Sequence, residues 1–317
     1  MENGCSILAD PKGNAWEFAQ SIYGILRRRS EKFELNEVQV KQFRDREIKV
    51  KIRDNARRKN CFFIHDSSKA PADWFLELVL VNQALKNSSA NEVIDVLPYM
   101  KFSRQDRKDE SRVAVSARAL SDVISLHADR VLTIDTHFPQ LPSFYTIPFD
   151  NLYSSGLLYD FLRVNHPQVL EDTVIMSPDA GGTSRAKAFA SRLGIENIII
   201  GYKHRQKDGA IQEYKIVEEL KNENVLIIDD MVDSGGTLIE AVKCVKRAGA
   251  RKVYVYCTHG LFSAGREGVS KEVDLMFVSN SIPQPVHERI EVIPLENLFA
   301  EAIYRLNEGA SLSALFE

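Results

Sequence analysis

Cysteine is scarce in this chain. Among 317 residues only Cys5, Cys61, Cys244 and Cys257 occur, scattered and without a C-x-x-C pair. That spacing excludes a disulfide framework and a zinc ribbon, and leaves small buried apolar residues in a reducing compartment. Long apolar runs are missing as well, so no membrane span is expected. The opening MENGCSILADPKGNAW has neither a basic segment followed by a long apolar core nor an Arg/Ser-rich, acid-poor presequence, and the expected location is the cytoplasm. Neither sign of charge is in excess: 41 Lys and Arg stand against 44 Asp and Glu, a net charge of -3. A general nucleic-acid binder would carry a basic surplus, so nucleic acid is excluded as the expected partner. The glycine-Lys-Ser/Thr run of a P-loop and a strand-linked G-x-G-x-x-G are both absent, which removes support for a Walker-type kinase and for a dinucleotide enzyme.

What remains is the composition of an ordinary globular protein, 44% hydrophobic and 27% charged, and a length that favours about two domains. Short β-branched runs (SILAD, CFFIHD, EVIDVLPYM, RVLTIDTH, TVIMSPD, NIIIGYK, NVLIIDD, KVYVYCTH, LMFVS) alternate with segments of helical period (EFAQSIYGILRRR, WFLELVLVNQALKN, VSARALSDVISLHA, TSRAKAFASRLG, TLIEAVKCVKRAG). The alternation predicts an α/β protein built of βα units on mainly parallel sheets flanked by helices. The same order recurs in both halves, so two related domains are expected, over residues 1–150 and 151–294, with a boundary in FDNLYSSG. The last helix, LFAEAIYRLN, in 295–317, is expected to pack back on the first half.

Several strands end in acids: HD after CFFI, DTH after VLTI, SPD after TVIM, DD after VLII. In open parallel sheets ligands bind outside the carboxyl ends of the strands, although a single Asp there also serves as a helix cap. The most informative stretch is VLIIDDMVDSGGTL, Val225 to Leu238. A helix opening with Ser234, Gly235, Gly236 and Thr237 presents unpaired backbone N–H groups and the positive end of its dipole, suited to a phosphate. Asp229 and Asp230 repel an anion and must face something neutral or cationic beside it, such as ribose hydroxyls or hydrated Mg²⁺. One sugar phosphate satisfies both halves of the motif.

VLIIDDMVDSGGTL resembles the phosphoribosyl-binding signature of the type I phosphoribosyltransferase fold. PYMKFSRQDRK, IDTHFPQLPSFY, SPDAGGTSRAKA, GYKHR and THGLFS, in that order along nearly the whole chain, resemble the ribose-phosphate diphosphokinase family. The resemblance implies two phosphoribosyltransferase-like domains and Mg²⁺-dependent transfer of diphosphate from ATP to ribose 5-phosphate. It implies that Asp229, Asp230, Asp233, Ser234, Gly235, Gly236 and Thr237 hold ribose 5-phosphate, and that Phe43, Asp45, Arg46 and Glu47 with Arg104 and Gln105 hold ATP. His137 and Asp179 fall on metal positions and Lys203 and Arg205 on a catalytic basic pair at the base of a loop, QKDGAIQEYK. A homo-oligomer, dimer or hexamer, is implied as well.

The residue types suit these roles. Carboxylates accept from an adenine amino group, an aromatic ring stacks on a base, and cations offset charge on a diphosphate in flight. Two departures are visible. Arg46 stands where the family has Gly, so either the loop does not need φ > 0 or its geometry and ATP affinity differ. HDSSKAPADWF differs from the usual run and puts phosphate and ADP control in doubt. Two rival readings stay open: a phosphoribosyltransferase, and a catalytically silent regulatory subunit of a synthetase complex.

Overall fold

Strands and helices alternate because short, nearly continuous apolar runs, as buried parallel strands require, are separated by longer segments of period 3.6. The computed structural model describes residues 4–205 and 211–315. Two compact units are present: Met1–Tyr153 with Leu295–Glu317, and Ser154–Pro294.

The first unit runs β1 (Cys5–Ala9), α1 (Trp16–Arg29), β2 (Phe33–Gln42), β3 (Ile48–Ile52), β4 (Asn60–Ile64), α2 (Pro71–Asn87), β5 (Glu92–Leu97), α3 (Ser116–Ile124), β6 (Arg130–Ile134) and β7 (Phe149–Leu152). These strands form one sheet in the order β3-β2-β1-β4-β5-β6-β7. All neighbours are parallel except β2 and β3, which form an antiparallel hairpin at the edge. β1 and β4 are buried along their whole length, as central strands covered on both faces must be. The strand order switches direction between β1 and β4, the kind of point outside whose carboxyl ends ligands bind in open parallel sheets.

The second unit runs α4 (Ser155–Asn165), β8 (Thr173–Ser177), α5 (Thr183–Leu193), β9 (Ile198–Ile200), β10 (Tyr202–Arg205), β11 (Ile211–Lys215), β12 (Asn224–Val232), α6 (Gly236–Arg247), β13 (Lys252–Gly260), α7 (Glu267–Ser270), β14 (Leu275–Ser279) and β15 (Ile290–Ile293). Six strands make a parallel sheet in the order β15-β14-β13-β12-β8-β9. β10 and β11 form a separate antiparallel hairpin. Alternation along β12 sends Val225 and Ile227 into the layer with Val242 and Val245 of α6, and Leu226 and Ile228 into the layer with Leu158 of α4 and Phe189 of α5. NIIIGYK, which reads as one strand, is two. A Cβ at Gly201 would lie 1.9 Å from the Tyr214 hydroxyl, so the chain breaks where that phenol crosses it.

The closing helix α8 (Glu296–Asn307) belongs to the first unit. Phe299 meets Phe18 of α1 edge-on at 5.7 Å between ring centroids, and Arg29 lies 5.2 Å from the Tyr304 ring centroid. Among the described residues no helix is long and apolar enough to cross a membrane.

Candidate active site

In the second unit the direction of strand order reverses between β8 and β12. Their carboxyl ends carry Pro178-Asp179 and Asp229-Asp230, so the topology gathers both acid tips at one crevice. Asp230 is buried, and its Oδ1 accepts from the Arg185 guanidinium at 2.9 Å. The same nitrogen stands 3.7 Å from Asp229 Oδ1. Asp229 is half-buried and also accepts from the Asp230 backbone N–H at 2.9 Å. Burial first, and then the Asp230 charge, hold the Asp229 carboxyl well above the usual carboxylate range, with Arg185 pulling the other way.

Arg185 is the residue that sequence reading missed, because within TSRAKAFASRL it looks like one solvated cation of a helix face. A signal was available. Arg185 lies in the first turn of α5, where a cation runs against the helix dipole and calls for an offsetting acid.

The turn after β12 is built for close backbone approach. Gly235 sits at φ 81, and a Cβ there would meet Val269 Cγ2 at 2.2 Å, so no other residue fits without displacing α7. The turn is pinned by Leu261 N–H on the Val232 carbonyl at 2.9 Å and Ser263 N–H on the Asp233 carbonyl at 3.1 Å. The N-cap of α6 is Gly235, which has no side chain to turn back on the opening N–H groups of the first turn. Ser234 and Gly236 are exposed and Thr237 is half-buried. The arrangement offers main-chain donors and a helix dipole to an anion.

The turn after β8 is tied differently. Asp179 Oδ1 accepts from Gly182 N–H at 3.0 Å, and Ser177 Oγ donates to the Asp179 carbonyl at 2.6 Å. A Cβ at Gly182 would meet Ser177 Oγ at 2.8 Å, which explains that glycine by packing. Asp179 therefore fixes its own turn.

Lys203 and Arg205 lie on β10. Their side chains, and residues 206–210 of the loop, lie outside the described residues. In register Lys203 faces Tyr214, whose buried hydroxyl donates to the Pro178 carbonyl at 2.7 Å. That bond fastens the hairpin backbone to the carboxyl end of β8, and burial pushes the Tyr214 phenol upward.

The remaining candidates are in the first unit. Phe43 to Glu47 form the turn between β2 and β3, with Phe43 N–H on the Glu47 carbonyl at 2.8 Å and Glu47 N–H on Asp45 Oδ1 at 3.1 Å. Arg46 adopts φ 75: the loop does require the left-handed conformation, and an arginine holds it. Phe43 is 43% exposed and lies 5.6 Å from Lys41 Nζ, so its ring presents a face to solvent. Arg104 and Gln105 follow β5, and Gln105 Oε1 accepts from Ser116 Oγ at the start of α3. β1 and β4 separate β2 from β5, so the two segments leave the same sheet edge about 14 Å apart. His137 is exposed on the loop after β6, where Asp135 at φ 43 turns the chain out of the strand. Among the described residues no group of three or more His, Cys, Asp or Glu is arranged to hold a metal. A Mg²⁺ that keeps most of its waters and takes substrate phosphates needs only one or two protein ligands, which the strand-tip acids can supply.

Two mainly parallel sheets, one with an acid-tipped strand leading into a glycine turn at a helix start, define a phosphoribosyltransferase-type α/β protein. Residues 12–127 match the family described as the N-terminal domain of ribose phosphate pyrophosphokinase, and residues 161–291 match the phosphoribosyl transferase domain family. The ribose-phosphate pyrophosphokinase of Chlorobaculum tepidum is 39% identical over 289 residues, covering 89% of this chain and 88% of that protein. The enzyme of that name from Campylobacter jejuni is 35% identical over 286 residues, covering 89% and 91%. In fold the chain is similar to the crystal structure of phosphoribosylpyrophosphate synthetase from Mycobacterium smegmatis, with a TM-score of 0.85 and 24% identity over 97% of this chain and 100% of that one. The chain belongs to the ribose-phosphate pyrophosphokinase family.

Proposed function

We propose that this chain carries its family's activity, moving the diphosphoryl group of ATP to the C1 hydroxyl of ribose 5-phosphate to give AMP and 5-phosphoribosyl 1-pyrophosphate. The observation that supports it most is the switch point between β8 and β12, where a helix start with glycine at its N-cap adjoins the Asp229–Asp230 pair. In this reading the backbone from Asp233 to Thr237 grips the 5-phosphate, while Asp229 and Asp230 accept from the ribose hydroxyls and Arg185 balances their charge. Phe43 stacks on adenine, Asp45 and Glu47 accept from its amino group, Arg46 borders it, and Arg104 and Gln105 reach the phosphates and base edge.

The C1 oxygen attacks the β-phosphorus in line, the bond to the AMP oxygen breaks, and the hydroxyl proton leaves to solvent. Positioning and electrostatics carry this chemistry, so no dedicated base is assigned. Lys203 and Arg205 neutralise charge growing on the β-phosphoryl oxygens and the departing AMP. His137 and Asp179 are the residues assigned to Mg²⁺, whose contribution when bound is to neutralise the diphosphate oxygens. The domain assignment follows: residues 1–150 with 295–317 carry the ATP segments and 151–294 the sugar phosphate. We also infer a homo-oligomer and a cytoplasmic location, the latter supported by four free, buried thiols.

The test is turnover with ATP labelled at the β-phosphate, Mg²⁺ and ribose 5-phosphate. Expected is AMP release in step with ribose 5-phosphate consumption, the label passing to the sugar. A phosphoribosyltransferase would release no AMP from ATP, and a silent regulatory subunit would show no turnover; either result overturns the reading.

A further inference from the structure

Asp95 lies in the middle of β5, fully buried. Its neighbours in register are Phe63 on β4 and Val131 on β6, and Leu78, Val81 and Leu85 of α2 belong to the same apolar cluster as those two. Its one hydrogen bond comes from the carboxamide of Asn82 on α2, Nδ2 to Oδ2 at 2.9 Å, and Asn82 is itself fully buried. The other two oxygens of the pair, Asp95 Oδ1 and Asn82 Oδ1, are both buried without a partner. An ionised carboxylate in such a place would face an uncompensated desolvation cost with only a neutral amide for support.

We propose that Asp95 is held as the neutral acid and closes a two-hydrogen-bond ring with the Asn82 carboxamide. The amide N–H donates to one carboxyl oxygen, as observed, and the carboxyl O–H donates to Asn82 Oδ1. One proton thus turns two orphaned acceptors into a bonded pair, with no charge left in the core. The groups facing the pair agree. Asp129 adds a like charge, and its carboxylate is engaged by Lys86 Nζ at 2.6 Å and by Val93 N–H at 2.7 Å, so Lys86 offers no cation to Asp95. Tyr145 is half-buried, its phenol pushed up by burial, with its hydroxyl on Met100 Sδ at 3.8 Å. His65, on the same face of β4 as Phe63, is bonded to the Trp74 carbonyl at 2.8 Å and is pushed down by burial to about 3, hence neutral. Burial pushes the Asp95 carboxyl up to about 8, the Asn82 bond opposing and Asp129 adding.

The sign follows from linkage. The folded chain binds a proton at Asp95 that the unfolded chain has released, so stability falls as pH rises from the ordinary carboxylate range to about 8 and is level above it. β5 leads directly into the segment bearing Arg104 and Gln105, so the loss falls on an element that supports them. Asp95→Asn cannot ionise and keeps the shape of the ring as a reciprocal amide pair with Asn82. Denaturant titrations of the full chain at a series of pH values should show the wild-type folding constant falling relative to Asp95→Asn by about tenfold per pH unit between about pH 5 and 8. A second measurement is spectroscopic: an infrared carbonyl band of a protonated carboxylic acid that Asp95→Asn lacks should persist in the wild-type protein at pH 7 and disappear well above pH 8. Parallel pH curves for the two proteins, or no such band in the wild type at pH 7, would overturn the proposal.

Discussion

At Arg46 a bulky residue holds φ 75 in a turn closed by the Phe43, Asp45 and Glu47 hydrogen bonds. A non-glycine residue in that region costs about 1–2 kcal/mol, partly offset on replacement by the greater freedom of glycine in the unfolded chain. Arg46→Gly is therefore expected to stabilise the protein by about 0.5–1 kcal/mol. Denaturant melts check this, and a less stable variant would show that the arginine side chain makes a contact outweighing its backbone strain. The sequence revealed the substitution but not its consequence, since φ is set by how β2 and β3 pair. Arg185 and Asp95 were obscure for a related reason. Each is explained by a group far away in the chain, 45 residues from Arg185 to Asp230 and 13 from Asn82 to Asp95, and a local pattern does not carry such pairings. Asp229, Asp230 and the glycines were legible because their chemistry is contiguous in the chain.

The β12–turn–α6 element unites the two requirements of the sugar-phosphate reading, acids at a strand tip and bare amides at a helix start. Its geometry depends on Gly235, which combines positive φ with a 2.2 Å approach to Val269 Cγ2. Gly235→Ala should destabilise the fold by about 2–4 kcal/mol through backbone strain and overpacking, and should raise the KM for ribose 5-phosphate more than that for ATP. Unchanged stability and unchanged KM would show that the turn is neither close-packed nor part of the site. Other elements escaped sequence reading for visible reasons. FELNEVQVKQ and IKVKI alternate polar with apolar residues on an exposed edge hairpin, so they lack the apolar density of the central strands. Gly201 divides NIIIGYK because Tyr214 passes over it, a tertiary event. α4 begins at Ser155, inside the turn-rich FDNLYSSG, whose serines and glycine read as loop.

For the molecule as a whole, the α/β class and the parallel sheets followed from the period of the apolar runs, and the family from motifs spread over both units. The strand orders did not follow from the sequence, and they matter most for function, because they put the switch point of the second unit between β8 and β12 and so gather Asp179, Asp229, Asp230 and the start of α6 at one sheet edge. The central claim is that main-chain amides from Ser234 to Thr237 take the anion while the neighbouring acids take the pentose. A crystal structure of the protein with ribose 5-phosphate tests this most directly. The account predicts the 5-phosphate at the first turn of α6, within hydrogen-bond reach of those N–H groups, and ribose hydroxyls on Asp229 and Asp230; a phosphate seated elsewhere, with the α6 start left to solvent, would contradict it.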